Sequence, residues 1–517
     1  MATVYIDNQP VELAEDERLN GIQAAQRAGV EVPHYCWQAG LSVVASCRMC
    51  LVETGRKDKE TGDISMVPKL VPACQTPATD GTVFVTDSDK VRQARAMVEE
   101  DLLLRHPIDC PICDKAGECS LQDYHFQHGQ SQRRADIQPF TSRRRSLGDT
   151  VTLFVDRCVM CSRCVRFCRE VAGTSELMVS DRGAHEEIDV FPGFPLENEL
   201  SGNVVDLCPV GALGDKDFLY SQRVWFMSGH DGICAGCSAG CNISIEENQS
   251  RIYRLKPREN AEVNQWWMCD DGRYNWKYVH DEQRQQMPGQ QGQTDFEVVE
   301  WSELIPRIDE GLRKAGKLAA VLSPFLTTEE AFLLAEYIRS IDPEAILASG
   351  PIPVAGEDRA FPTGFTIRSE KCPNRRGIEL VLDQLGGETS DWSSLTSGNS
   401  LGSVKAVWVT GGYPSPWHGA DEVAAIADIE TIVIQDMFES PLWNAARFRL
   451  PGAAFAERSG SYVNHQEMSQ SFDWAIRPPG GVQVEGQVYW QLQKRSGMYD
   501  PEKVREEMAG REIGTVV

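Results

Sequence analysis

The sequence has no long apolar run. Nothing in it approaches the ~20 consecutive apolar residues that a membrane-spanning helix requires, so no direct membrane span is expected. Positive charge is scarce: 51 Lys and Arg stand against 76 Asp and Glu, a net charge of −25. A field of that sign repels phosphate backbones and anionic lipid surfaces, which excludes a general nucleic-acid binder. The opening MATVYIDNQPVELAEDE lacks the charged-then-apolar pattern of a secretory leader, and a cytoplasmic protein is expected. No G-x-G-x-x-G follows a strand-like run and no Walker loop occurs, so nothing marks a nucleotide, nicotinamide or flavin site. The pair Gly411-Gly412 after KAVWVT reads as a turn. No nucleophilic triad or catalytic carboxylate pair can be singled out, and no catalytic residue is expected. The back half is also nearly free of cysteine, with only Cys372 beyond Cys269.

What is present is concentrated. The other sixteen of the 17 cysteines lie between Cys36 and Cys269. In a reducing compartment such clustering reads as metal ligation rather than disulfides. A chain of 517 residues, 41% hydrophobic and 25% charged, is long enough for several ordinary globular domains. Residues 3–13 alternate around a turn at Asp7-Asn8-Gln9-Pro10, which predicts a hairpin. Residues 18–29 follow as a helix capped by Gly29, and Val83-Phe84-Val85 closes a small α+β domain. A helix is expected from Asp87 or Ser88, with Val91, Ala94, Val98 and Leu102 as its apolar stripe, ending at His106-Pro107. Residues 127–150 are polar and arginine-rich, and read as a solvated loop. Gln283 to Thr294 reads as a linker. Beyond it, the helix pattern at 327–341 and the short apolar runs KAVWVTGG and TIVIQD alternate as in a layered α/β domain with a parallel sheet. The last ~35 residues read as a surface tail or terminal helix.

Four constellations carry the chemistry. Cys36-x10-Cys47-x2-Cys50-x23-Cys74 suits a [2Fe–2S] cluster held in loops, with a four-thiolate zinc site as the competing reading. His106-x3-Cys110-x2-Cys113-x5-Cys119 offers three thiolates and one imidazole, for either zinc or a [4Fe–4S] cluster of raised potential. Cys158-x2-Cys161-x2-Cys164-x3-Cys168 reproduces the bacterial ferredoxin run, and Cys208-Pro209 supplies its Cys-Pro ending. In two-cluster ferredoxins the fourth Cys of each run ligates the other cluster. Here the second run would need cysteines where Asn198, Ser201 and Val204 stand. Cys208 then completes the set of Cys158, Cys161 and Cys164, and Cys168 is left as a buried free thiol. Cys234-x2-Cys237-x3-Cys241-x27-Cys269 supplies a fourth set, to which zinc is again the alternative. Joint iron–sulfur occupancy is more economical than four unrelated zinc sites. A series of clusters moves single electrons over distance.

In this order, the constellations and the segments HPIDCPICDKAGECSLQD, CVMCSRCVRFCREVAG and CPVGAL resemble the large iron–sulfur subunit of respiratory complex I, the proton-pumping NADH–quinone oxidoreductase. The segment from about 220 onward resembles the molybdopterin oxidoreductases, RLPGAAFAERSGSYVNHQ (449–466) being similar to a stretch of theirs. The resemblance implies a multidomain α+β and α/β protein. An N-terminal β-grasp [2Fe–2S] ferredoxin-like domain would occupy 1–83, a [4Fe–4S] domain with one His ligand 84–126, and a ferredoxin-like [4Fe–4S] domain 143–222. A molybdopterin-oxidoreductase-type [4Fe–4S] domain would follow at 227–283, a shortened α/β molybdopterin-oxidoreductase-like domain at 296–478, and a tail at 479–517. It implies one [2Fe–2S] cluster on the first set, a [4Fe–4S] cluster on each of the other three, and no molybdenum cofactor.

The function so implied is relay of single electrons from a flavoprotein that oxidises NADH, through this chain, to further iron–sulfur subunits and quinone. The partners would be those subunits in a hetero-oligomeric membrane complex, with the chain peripheral on the inner face of the cell membrane. The alternative is the electron-transfer module of a soluble NAD-linked hydrogenase or formate dehydrogenase.

Overall fold

Val4, Ile6, Val11 and Leu13 alternate with polar neighbours and are buried, which makes Ala2–Ile6 and Gln9–Leu13 a half-buried antiparallel pair. The turn between them is two residues long, Asp7 and Asn8, both at positive φ, in the left-handed region that Asn and Asp tolerate. Gln9 and Pro10 belong to the second strand, two residues earlier than the sequence suggests. The computed structural model describes residues 2–293, 295–397 and 400–511. It divides into two units, one running to Met227 and including Phe361–Thr363, the other holding Ser228–Ala360 and the residues from Gly364.

In the first unit, Thr82–Val85 pairs parallel with Ala2–Ile6 and antiparallel with Leu51–Lys57. The helix Gly21–Arg27, held by an Asn20–Gln23 capping box, packs Ile22, Ala24 and Ala25 onto that sheet beside Val52 and Phe84. Ser88 caps the helix Asp89–Leu103, as expected. Of the expected stripe only Val91 is buried, with Ala94, Val98 and Leu102 half-buried, and Arg95, Ala96 and Glu99 make up the rest of the buried face. Tyr35 donates to the Glu99 carboxylate, and burial pushes that carboxyl up to about 7. A polar contact has thus displaced an apolar one. The helix Ser120–His128, the sheet Arg144–Ser146, Val151–Phe154 and Leu213–Asp215, and the short helices Arg163–Phe167 and Asn203–Leu207 complete the cysteine-bearing part. The arginines of 127–150 are not free. Arg143 pairs with Asp156 and Glu187, Arg145 with Glu187 and Asp189, and Arg134 with Glu100.

The second unit opens with an antiparallel sheet of Ser228–Ile233, Asn242–Asn248 and Arg251–Pro257. Its main body is an eight-stranded sheet. Six strands are parallel, and across the sheet they run Phe448–Pro451, Thr431–Asp436, Ala406–Thr410, Leu318–Leu322, Ile346–Ser349, Thr389–Asp391. Taken in chain order, the first three extend one way from Leu318–Leu322 and the last three the other way. This is the doubly wound order, whose crevice opens where the direction reverses. Here that point lies between the C-terminal ends of Leu318–Leu322 and Ala406–Thr410.

Two segments depart from the sequence reading. The stretch 283–293 is structured: Gly289–Gln291 pairs with Phe448–Pro451 and with Phe296–Val298 at the sheet edge, and Arg284 is buried against Glu457. Thr294 lies outside the described residues. The segment after 479, as far as it is described, takes the terminal-helix alternative and is packed rather than a surface tail. The helices Glu485–Leu492 and Pro501–Gly510 contribute Val488, Tyr489, Trp490, Val504 and Met508 to the core around Phe332 and Trp408. Their polar residues mislead because Glu485 and Gln487 are themselves buried and bonded. Residues 512–517 lie outside the description. Among the described residues no helix is long and apolar enough to cross a membrane.

Arg458 ties this unit together, its guanidinium donating to the buried Glu330 at 2.8 Å and Glu485 at 2.9 Å. Arg458→Ala strands two buried carboxylates and is expected to cost about 3–5 kcal/mol in urea denaturation followed by circular dichroism. Arg307→Ala removes an exposed pair with Glu303 and is expected to cost under about 0.5 kcal/mol.

Candidate metal centres

The first set sits in the loops beside the N-terminal sheet. Cys36, Cys50 and Cys74 are buried and Cys47 partly so. Their thiols share hydrogen bonds, Cys36 with Cys47 and Cys74, and Cys50 with Cys74. Those contacts hold Cys36 and Cys50 down, while Cys47 and Cys74 are driven up by the same bonds and by burial. Four thiols crowded in one dry volume cannot all ionise unless a cation shares it.

The second set is assembled where the helix Asp89–Leu103 has ended. His106, Cys110 and Cys119 line one cavity of about 380 Å³ with Leu121 and Phe126, and Cys119 stands at the N-terminus of the helix Ser120–His128. Burial, and then the Arg157 guanidinium, hold the His106 imidazole at about 4, so it is neutral at pH 7 as a ligand must be. Cys119 is pushed up to about 11 and Cys113 is raised, both by burial. Gly211 of the CPVGAL segment fits closely against Cys113: a Cβ there would lie 2.1 Å from its Sγ. His125 also lines the cavity, although along the chain it reads as an ordinary polar residue.

In the third set Cys158 and Cys161 lie on the loop before the helix Arg163–Phe167, Cys164 lies in that helix, and Cys208 stands at the end of Asn203–Leu207. Met160 and Ser162, on either side of Cys161, both take positive φ, and the Met160 N–H donates to Cys158 Sγ at 3.3 Å. Amides turned onto sulfur in this way stabilise a thiolate and tune a cluster's potential. Burial raises Cys158, Cys161 (to about 11) and Cys164, and the neighbouring thiols, Cys208 among them, add to it. Cys168 is fully buried, with its thiol pushed up by burial. The three positions that lack cysteine serve packing instead. Asn198 bonds Glu176 and the Leu200 N–H, Ser201 bonds Thr150, and Val204 is fully buried.

The fourth set is in the second unit, with Cys234, Cys237, Cys241 and Cys269 all buried. Gly236 N–H donates to Cys234 Sγ at 3.4 Å and Gly272 N–H to Cys269 Sγ at 3.3 Å. A Cβ on Gly272 would lie 2.9 Å from Cys234 Sγ and 3.6 Å from Cys269 Sγ, so only a bare backbone passes between them. Burial pushes Cys234 up to about 12 and Cys241 and Cys269 well above the ordinary thiol range. Among the described residues no three His, Cys, Asp or Glu side chains gather round one point to hold a lone ion.

A cavity of about 270 Å³ lies beside this set, lined by Cys234, Gly272, Lys371, Phe325, Pro414 and Phe455. The adjoining crevice of the doubly wound sheet is filled by the chain itself. Tyr413, stacked on Trp417 at 4.8 Å and edge-on to Phe325 at 4.9 Å, donates to the Pro351 carbonyl. Trp417 donates to Asp436, which also accepts from Gly412 N–H. Cys372 is sealed beneath Phe325 and Tyr413. The remaining space is below the ~300–1,000 Å³ of pockets that hold even drug-sized ligands. These residues do not fit a pterin dinucleotide carrying a metal.

Comparison with known proteins bears on the whole array. The models for a 2Fe-2S iron-sulfur cluster binding domain (residues 1–89) and for the NADH-ubiquinone oxidoreductase-G iron-sulfur binding region (95–134) match the chain. So do those for the NADH-quinone oxidoreductase subunit 3 ferredoxin-like domain (148–214), the molybdopterin oxidoreductase Fe4S4 domain (227–281) and molybdopterin oxidoreductase (382–495). Homologues named as the G subunit of NADH-quinone oxidoreductase include that of Rickettsia felis, 33% identical over 66% of this chain and 49% of its own length. Those of Salmonella typhimurium and Escherichia coli are 35% and 34% identical over 65% of this chain and 37% of theirs. The chain thus spans about half or less of the length of the relatives it matches. A chain in the crystal structure of NAD+-reducing [NiFe]-hydrogenase in the H2-reduced state aligns with 43% of this chain and 91% of its own at 25% identity, with a TM-score of 0.35. The fold class is accordingly a 2Fe-2S domain, ferredoxin-like iron–sulfur domains and a molybdopterin-oxidoreductase-like α/β domain in one chain.

The contact at Gly211 gives a direct check on the second set. Gly211→Ala is expected to destabilise the first unit by about 1–3 kcal/mol through overpacking on Cys113, measured by thermal melting. Gly480→Ala, which meets nothing within 4 Å, is expected to leave the melting temperature unchanged.

Proposed function

We propose that this chain is an electron-transfer subunit of an NADH–quinone oxidoreductase, passing single electrons from a flavoprotein partner towards quinone. The observation that carries the reading is the grouping of sixteen donor side chains into four sets, mostly buried apart from the exposed Cys110, three of them in one unit, in a homologue of the G subunits of that enzyme. On this reading Cys36, Cys47, Cys50 and Cys74 hold a [2Fe–2S] cluster. Three [4Fe–4S] clusters fall to His106, Cys110, Cys113 and Cys119, to Cys158, Cys161, Cys164 and Cys208, and to Cys234, Cys237, Cys241 and Cys269. Cys168 stays a free thiol, and no molybdenum cofactor is bound, in keeping with the crevice filled by Tyr413 and Trp417.

Bound iron–sulfur clusters supply one-electron oxidation and reduction. The chain's own part is to give up thiol protons on metal binding, to keep water out, and to aim donors at sulfur. Burial raises most of these thiols, so they stay protonated until a cation arrives, and cluster insertion is coupled to proton release and to final folding. Neutral His106 in place of a thiolate removes one negative charge from its set and raises that potential. The N–H groups of Met160, Gly236 and Gly272 donate to ligand sulfurs and raise the potentials of the sets they serve. The partners would be the NADH-oxidising flavoprotein and further iron–sulfur subunits of a membrane complex, with this chain peripheral on its inner, cytoplasmic face.

Metal analysis of the chain purified without oxygen, with low-temperature EPR on stepwise reduction, is the test. About fourteen irons per chain with neither zinc nor molybdenum is the expected result. Stoichiometric zinc would replace the electron relay with a scaffold, and molybdenum would replace it with a catalytic oxidoreductase.

A further inference from the structure

Of the buried arginines Arg95, Arg157 and Arg166 in the first unit, Arg166 is the least exposed, with 2% of its surface accessible. It stands on the short helix Arg163–Phe167, between Cys164 and Cys168. Its hydrogen bonds go to carbonyl oxygens of the backbone. Nη2 donates to the Cys36 carbonyl at 2.5 Å and to the Cys161 carbonyl at 3.2 Å, and Nη1 donates to the Ser42 carbonyl. One guanidinium therefore grips the peptide of a first-set cysteine and the peptide of a third-set cysteine, far apart in the chain. The neighbouring Arg163 repeats the grip beside it, donating to the Trp37 carbonyl at 2.6 Å and the Leu207 carbonyl at 3.2 Å, each one residue from a ligand cysteine. Glu170, further along the same segment, accepts from the N–H and hydroxyl of Ser42.

The charge of Arg166 is as informative as its bonds. A guanidinium is always protonated, and burying one without a matching anion is costly. Arg166 spends its bonds on carbonyls rather than on a carboxylate, and its Nε is buried with no partner among the described residues. Burial disfavours its charged form and so does the neighbouring Arg163 guanidinium, while the groups that favour it are the Cys161 and Cys36 thiols, one from each set, and after them the Glu170 carboxylate.

We infer that Arg166 is a positioning residue for electron exchange between the first and third cysteine sets, fixing the two ligand loops to each other and placing one permanent positive charge between them. This rests on the ligand reading proposed above. The exchange moves one electron from the cluster of one set, which is oxidised, to that of the other, which is reduced. No bond forms or breaks, and the guanidinium keeps its proton. A fixed cation next to both sets stabilises their reduced, more negative states, so it raises both potentials together.

The test is a redox titration by EPR of the full-length chain purified without oxygen, comparing wild type with Arg166→Gln, Arg166→Lys and Arg182→Gln. The third-set signal is identified by its loss in Cys164→Ser. R166Q is expected to shift the first-set and third-set midpoint potentials downward together and to leave the His106-set and Cys234-set potentials in place. R166K is expected to restore both, and R182Q, an exposed change in the same unit, to move none. A shift in only one of the two potentials, or in neither, overturns the inference. Should R166Q lose iron, R166K carries the test. With the charge kept and the fork lost, it is expected to weaken the dipolar broadening between the two reduced clusters, and unchanged broadening overturns the positioning role. A wild-type chain lacking the two signals would instead remove the ligand reading, which separates the two failures.

Discussion

Thiols crowded in groups of three or four, most of them buried, set the terms for the first unit. In an apolar interior an ionised sulfur is disfavoured, and a second one beside it more so, which is why most of these thiols are raised above their ordinary range. The arrangement becomes favourable once a metal takes the protons' place, because the ligands then carry charge that a cation offsets. Short loops with left-handed residues at Arg48, Met160 and Ser162 follow from that demand. They turn the chain sharply enough to bring several sulfurs to one volume and leave N–H groups facing them.

The sets are also joined through the residues beside their ligands. Arg157, one position before Cys158, pairs with Asp109, one position before Cys110, at 2.9 Å. Ser120 N–H, next to Cys119, donates to the carbonyl of Pro209, next to Cys208. Arg223 donates to the carbonyls of Cys113 and Pro111. The first two bonds fix the second and third cysteine loops relative to each other, and Arg223 braces the second loop. Electron transfer depends steeply on separation, so a scaffold that passes electrons gains from stiff connections between its sites more than from stiffness elsewhere.

The second unit shows a different use of an old architecture. Its strand order is that of a dinucleotide-binding sheet, yet the reversal point is closed by Tyr413, Trp417, Phe325 and the buried Asp436. Burial holds the Asp436 carboxyl up, and three donors satisfy it, so it braces the loop that fills the crevice. Side-chain packing fills that point. The fold remains, and with it the fourth cysteine set on the adjoining antiparallel sheet.

The spacing of the four constellations, the Ser88 helix start, the hairpin at Asp7 and the alternation of 327–436 are all legible along the chain, because each is written within a few turns or one strand of backbone. Even there periodicity misjudges the buried face of the Asp89–Leu103 helix, since Glu99 is buried for Tyr35, a partner 64 positions away. The polar helices after 479 escape a reading along the chain for the same reason: Glu485 is buried only because Arg458 and Glu330 are arranged around it. Gly211 against Cys113 and Arg166 between Cys36 and Cys161 have no local signal at all. The sequence by itself determined how the cysteines and His106 are spaced and grouped along the chain, since such spacing is a short-range property. Which sets adjoin, what charge lies between them and whether the crevice is open were decided by contacts between residues far apart in the chain, which exist only once it has folded.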